Sequence, residues 1–204
     1  KLIMKRLLER ILEQHPHARF KFRADSGFQS ESWFSFLETH PSIQIATIAL
    51  VSNSTLNKLT QEAVSQFETA HANRADPSVN LIHFGGIGYR ADSWSRFRRV
   101  IFQNSRTHFE TTEIRYYFTT DHDTSSELIK QDYNQRSDLE NRIKEWKTHL
   151  FASRVSGESF LVNAFRMLMS GFALIVFQEL QKQLQETTLG KSYVATLREK
   201  IIKV

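Results

Sequence analysis

Residues 131–150, QDYNQRSDLENRIKEWKTHL, carry the pattern on which the reading of the whole chain turns. On a helix that advances roughly 100° per residue, Tyr133, Arg136, Glu140 and Lys147 fall within an arc of about 60°. One stripe thus holds a phenol, a guanidinium, a carboxylate and an ammonium. Leu139, Ile143, Trp146 and Leu150 form a second stripe beside it, the face expected to be buried, with Tyr133, Arg136 and Lys147 on the accessible side. A polar stripe at the rim of a core is where a site usually sits. Spacing alone is also what an ordinary solvated amphipathic helix shows.

Upstream, Phe20, Phe22 and Ala24 alternate with Arg19, Lys21 and Arg23, the period of a strand with one apolar face. Asp25-Ser26-Gly27 ends that strand at a turn. An Asp there either forms the turn or caps a helix, or it projects beyond the sheet edge, where a metal can be bound. Before it, Leu2, Ile3, Leu7, Leu8, Ile11 and Leu12 have helical spacing, and His15-Pro16 supplies the stop. After it come a short helix at 30–39 with Trp33, Phe34 and Leu37 inward, a buried strand at 43–51, and a helix at 56–70 with Leu56, Leu59, Ala63 and Phe67 on one face. Residues 71–78, with Pro77, read as a loop. From Asn80 to Asp121 the runs LIHFGGIGY, RRVIFQ and EIRYYFTT form an expected antiparallel meander. Ser159 to Gln185 is helical again, and ETTLG at 186–190 breaks it.

The 204 residues, 40% hydrophobic, suffice for one large domain or a domain with an insertion. With no cysteine there is neither a disulfide framework nor a thiolate zinc site, and the default setting is cytoplasmic. A net charge of +5 suits a polyanionic partner. The most apolar stretch, Met167 to Phe177, is half the ~20 residues of a membrane span and reads as a buried helix, so no membrane partner is expected. The N-terminal leucines are interspersed with Glu9 and Glu13, unlike a signal peptide. The chain opens on Lys1 without an initiator Met and reads as part of something longer.

Tyr133-x2-Arg136-x3-Glu140-x6-Lys147 resembles the Y-R-E-K signature of the DDE transposases of bacterial insertion sequences, in which the Glu is the third catalytic carboxylate. FRADSGF at 22–28 resembles the second-Asp motif of the same family. GYRADSWSRFRRVIF at 88–102 and IRYYFTTD at 114–121 resemble its strand-rich insertion. ENRIKEWKTHLFASR at 140–154 and FLVNAFRMLMS at 160–170 are similar to its last catalytic helix and the continuation. The resemblance implies an α/β fold: a partial RNase H-like core at 1–55 with the second Asp, a mostly β insertion at 56–125, and the Glu helix with C-terminal helices at 126–204. Well over a hundred residues separate Asp25 from Glu140, too many for a plain RNase H-like core without such an insertion.

Strand cleavage and transfer need an in-line nucleophilic oxygen and a stabilised leaving oxygen, tasks that two divalent ions held by clustered carboxylates perform. Mg²⁺, or Mn²⁺ in its place, suits hard oxygen ligands. Asp25 and Glu140 are the implied catalytic and metal-binding carboxylates and are expected to approach each other. Tyr133, Arg136 and Lys147 would then hold the DNA end, with Lys144 adding positive field. Arg96, Arg98 and Arg99 form a basic cluster suited either to tracking a DNA backbone or to a solvated face. Trp94 and Trp33 are candidates for stacking on a flipped base, with core packing preferred.

The family's first catalytic Asp precedes the second, yet residues 1–24 contain no Asp. The chain therefore reads as the C-terminal part of a transposase, inactive by itself. The implied partner is the double-stranded DNA of transposon ends, in a bacterial, nucleoid-associated setting, with a homodimer open. The alternatives are a non-catalytic DNA-binding or dimerising remnant of a mobile element, and another RNase H-like nuclease. Divalent-metal binding separates the first from the transposase.

Overall fold

The computed structural model describes residues 2–70, 81–106 and 112–202. The expected loop at 71–78 lies outside them. Two compact units divide the chain, Lys1–Asn134 and Gln135–Val204.

The first unit contains α1 (Leu2–Gln14), β1 (Phe20–Ala24), a 3₁₀ turn (Ser26–Phe28), α2 (Glu31–Thr39), β2 (Ile43–Leu50), α3 (Ser54–Ala70), β3 (Leu81–Tyr89), β4 (Arg98–Arg106), β5 (Thr112–Thr119) and α4 (Ser126–Asn134). Its sheet runs β1-β2-β5-β4-β3. β1 and β2 are parallel, joined through α2 as parallel neighbours require. The β2–β5, β5–β4 and β4–β3 pairs are antiparallel, so the three runs after Leu81 form the meander. They do not stand apart from the core segment: β5 pairs with β2, Thr47 opposite Thr119 and Leu50 opposite Tyr116. The division expected at 55/56 falls inside α3, and all five strands share one sheet.

Alternation along the strands sorts side chains between two faces. On one, Ala46, Ile48, Val100, Phe102, Tyr116 and Phe118 meet Trp33, Phe34 and Leu37 of α2 and Leu56 and Val64 of α3, with Trp94 closing the cluster. Trp33 and Trp94 are thus core residues. Thr60 is the polar member of the α3 stripe, and its hydroxyl meets that of Tyr116 at 2.8 Å, which satisfies both buried groups. On the opposite face Ile101 and Tyr117 pack against Ile129 and Tyr133 of α4. Helices therefore cover both faces, the layered arrangement that buries a sheet. Gly85 is required by packing: a Cβ there would collide with the Phe102 ring of the neighbouring strand.

The second unit contains α5 (Arg136–Thr148), α6 (Phe160–Gln183), α7 (Val194–Leu197) and a π-helical turn (Arg198–Ile202). Phe177, Val194 and Leu197 form its core with Leu150, Leu174 and Leu180 around them. Ser159 caps α6 by accepting the Val162 N–H at 3.2 Å. The expected buried helix at Met167–Phe177 is corrected here. α6 runs 24 residues, its buried stripe is Ser170, Phe177 and Gln181, and Phe160, Leu161, Phe165, Leu168, Phe172 and Ile175 are exposed. By length and composition it is apolar enough to cross a membrane. Arg166 and Asn163 interrupt the apolar run without interrupting the helix, because a single polar residue costs no backbone hydrogen bond.

Candidate functional site

Asp25 stands at the C-terminal end of β1, exposed, with φ −79° and ψ −179°. Its Oδ1 accepts the Gly27 N–H at 3.0 Å, capping the 3₁₀ turn. Two contacts from the last turn of α4 reach the strand just before it. The Tyr133 hydroxyl donates to the Ala24 carbonyl at 3.1 Å, and Arg23 grips Asp132 with Nη2 at 2.7 Å and Nε at 3.0 Å. Lys21 joins the same carboxylate at 3.5 Å. The Arg23 guanidinium holds the Asp132 carboxyl below its ordinary range.

Tyr133, expected on an accessible stripe, is only 8% exposed. Its ring lies 4.8 Å from that of Tyr117. The Lys130 ammonium sits over both rings, at 5.2 and 5.7 Å, and bonds to Asn134. Burial and the charge of Arg115 lower the Lys130 pKa, and burial pushes the Tyr117 phenol up to about 12. The helical-wheel reading fails here for a local reason: 131–150 is two helices, broken at Gln135, so Tyr133 and Arg136 do not share a helix.

The basic cluster is also redirected. Arg98 is only 4% exposed. Its Nη1 and Nη2 donate to Glu31 at 2.7 and 3.0 Å, its Nε to Glu38 at 2.8 Å, and its guanidinium covers the rings of Phe34 and Trp94. Hydrogen bonds from Arg98 hold Glu31 down at about 2. These donors are turned into the protein, toward Glu31 and Glu38. Arg99 donates to the carbonyls of Asp121 and Thr124 at 2.7 and 2.9 Å, tying down the turn after β5. Arg96 is exposed and pairs with Glu38.

In the second unit, Arg136 and Glu140 form an i,i+4 ion pair at 2.8 Å with the glutamate more than half exposed. Lys144 and Lys147 follow on exposed positions of α5. The expected buried stripe is not the observed one: Leu139 is 60% and Ile143 39% exposed, while Glu145 is buried. Glu145 accepts the Val194 N–H at 2.8 Å, and Trp146, half-buried, donates to Ser170 at 3.1 Å. A backbone N–H at the start of α7 needs an acceptor, and that need turns α5 about its axis relative to the apolar pattern.

Asp25 and Glu140 belong to different units. Both offer carboxylate oxygens at exposed positions, which suits a hard divalent cation in kind. In number the donors are short: among the described residues no three His, Cys, Asp or Glu side chains are grouped to hold a metal ion. The clamp of Tyr133 and Asp132 on β1 was missed from the sequence. Its one visible signal is the cationic side of the alternation, Lys21 and Arg23, which offers partners to a carboxylate from elsewhere in the chain.

The family model described as Transposase DDE domain group 1 matches residues 1–204. No curated protein and no solved structure matches the chain.

Proposed function

Because the chain belongs to the transposase DDE domain family, group 1, we propose that it is part of a bacterial insertion-sequence transposase that cleaves and transfers DNA strands with the help of divalent cations. The reading places its mixed α/β sheet as part of an RNase H-like core. Asp25 and Glu140 are assigned as two of three carboxylates holding Mg²⁺ or Mn²⁺; when bound, a pair of such ions activates the attacking oxygen and stabilises the leaving one. The observation that carries the assignment is Asp25 itself, exposed at a strand end whose backbone is fixed by two contacts from α4.

The rest of the work assigned to this chain is binding. Lys144 and Lys147 are exposed on the helix that carries Glu140, and Arg136 already holds that carboxylate. Phosphates of a DNA end would be met by the two ammonium groups as point charges and by the guanidinium. Since residues 1–24 supply no Asp, these 204 residues are proposed not to cleave DNA by themselves. A second reading, a DNA-binding or dimerising remnant without chemistry, is favoured by the absence of a three-carboxylate group among the described residues.

DNA affinity of the chain as a function of salt tests the binding role. The logarithm of the binding constant should fall linearly with the logarithm of salt concentration, and Lys144→Ala and Lys147→Ala should each reduce the slope by about 1. Slopes unchanged in both variants would remove α5 from the interface. Mn²⁺ binding that Glu140→Gln abolishes separates the enzyme reading from the remnant, which binds none.

A further inference from the structure

We propose that the outward face of α6 is an interface on which a second copy of this chain docks, its own α6 lying antiparallel across the first about a two-fold axis at Leu168. Such a dimer forms whether or not α5 meets DNA. Asn163, Ser170 and Phe177 recur every seven residues and turn into the second unit. Ser170 and Phe177 are buried, and Asn163 exchanges two hydrogen bonds of 2.9 Å with the backbone of Gly157. On the opposite side of the helix, Leu161, Phe165, Leu168, Phe172 and Ile175 follow at intervals of four, three, four and three, each 61 to 78% exposed. That interval is the 3.5-residue repeat by which one helix seats its side chains between those of another. A helix with a matching seam is what fits it, and a second copy supplies one.

The area is sufficient. With Met169 and Val176 exposed at its flank, the seam presents on the order of 900 Å² of apolar surface, more than the roughly 800 Å² each partner buries in a stable complex and than the ~300–600 Å² of a monomer's largest apolar patch. Charge sets the direction. Continued toward the C-terminus, the repeat reaches Glu179 and Lys182, which pair with each other at 3.0 Å. Parallel helices would set each of these charges against its own copy, a like-charge juxtaposition that disfavours association. Antiparallel helices centred on Leu168 carry Glu179 past the seam to the N-terminus of the other α6, where the helix dipole favours a carboxylate. A lipid bilayer is a poorer match to the same surface. The inward side of α6 is tied to loop backbone, by Gln181 donating to the Ser192 carbonyl at 2.6 Å and by Asn163, and a helix crossing a membrane would carry those loops into hydrocarbon.

Sedimentation equilibrium of the 204-residue chain should find twice the chain mass at micromolar concentration. Leu168→Glu, at an exposed position, should weaken association at least about 100-fold by setting two carboxylates on the axis. The chain has no cysteine, so disulfides between introduced cysteines read the register directly. Under mild oxidation Leu168→Cys should cross-link to itself, while Leu161→Cys should cross-link to Ile175→Cys and neither of these to itself. Self-cross-linking of Leu161→Cys and Ile175→Cys would overturn the antiparallel arrangement. A monomer at every concentration overturns the interface, and a monomer that floats with phosphatidylcholine vesicles assigns α6 to a membrane instead. A dimer that Leu168→Glu leaves intact is built on another surface, which also overturns the proposal. Hydrogen-exchange protection at Val194, in the core of the second unit, verifies that each variant is folded.

Discussion

Replacing Arg98 by Met keeps an unbranched apolar stem and removes the guanidinium with its charge and donors, and the structure sets the size of the effect. Glu31 is held at about 2 against its usual 4.5, chiefly by hydrogen bonds from Arg98. At about 1.4 kcal/mol per unit this is worth roughly 3 kcal/mol at neutral pH. The Glu31 side chain is 29% exposed, so water screens the pair, and about 2 kcal/mol is the better figure. Glu38, 12% exposed, loses its buried partner as well. Because Glu38 keeps Arg96, its loss is partial, and the expected total is roughly 2–3 kcal/mol. The sign with pH follows from the depressed pKa. This stability is complete above about pH 4.5 and is lost as pH falls towards 2, so wild type and Arg98→Met should converge between pH 5 and pH 2. Urea unfolding followed by tryptophan fluorescence in a Trp146→Phe background isolates the first unit, which holds Trp33 and Trp94. A loss below 1 kcal/mol at pH 7, or a gap that does not narrow in acid, refutes the ion network; a DNA salt slope lowered by about 1 returns Arg98 to the interface.

Gly85→Ala should destabilise the first unit by about 1–3 kcal/mol, because the new methyl must displace the Phe102 ring or the strand; a change under 0.5 kcal/mol in the same urea experiment contradicts this packing. Glu145→Ala leaves the Val194 N–H without its acceptor, while Arg142 keeps Gln181, and should cost the second unit about 1–3 kcal/mol, read as lost hydrogen-exchange protection at Val194. Supercoiled DNA incubated with the chain and Mg²⁺ or Mn²⁺ should remain unnicked, since each factor of ten in rate is about 1.4 kcal/mol of barrier and a missing ligand costs many such factors. Robust nicking that disappears in Glu140→Ala would mean that a complete site is present.

The residues nearest in sequence were read most faithfully. Phe20, Phe22 and Ala24 against Arg19, Lys21 and Arg23 announced β1, and Asp25-Ser26-Gly27 its end, because alternation and turn chemistry are properties of a few adjacent residues. The meander from Leu81 to Thr119 was legible for the same reason. What was hidden depends on distant partners. Nothing around Arg98 says that Glu31 and Glu38 will be beside it, since the pairing spans some sixty positions and is made by folding. Tyr133 was placed on the wrong face because one wheel was drawn through a stretch that breaks at Gln135. α6 is apolar on nearly every side, a composition that describes a buried helix and an exposed one equally well. Glu145 lies inward on α5 because Val194 needs an acceptor, and a hydrogen-bond debt of this kind leaves no mark in hydrophobic periodicity.

The account turns on whether Asp25 and Glu140, which belong to different units, serve one cation site. A double-mutant cycle on Mn²⁺ binding measures this directly, using isothermal titration of the wild type, Asp25→Asn, Glu140→Gln and the double variant. Ligands of a shared site do not act independently. Each single substitution should abolish most of the binding and the double variant add little, giving a coupling energy of about 1 kcal/mol or more. Losses that add within about 0.3–0.5 kcal/mol, or binding that neither substitution affects, would contradict the assignment of a joint catalytic centre.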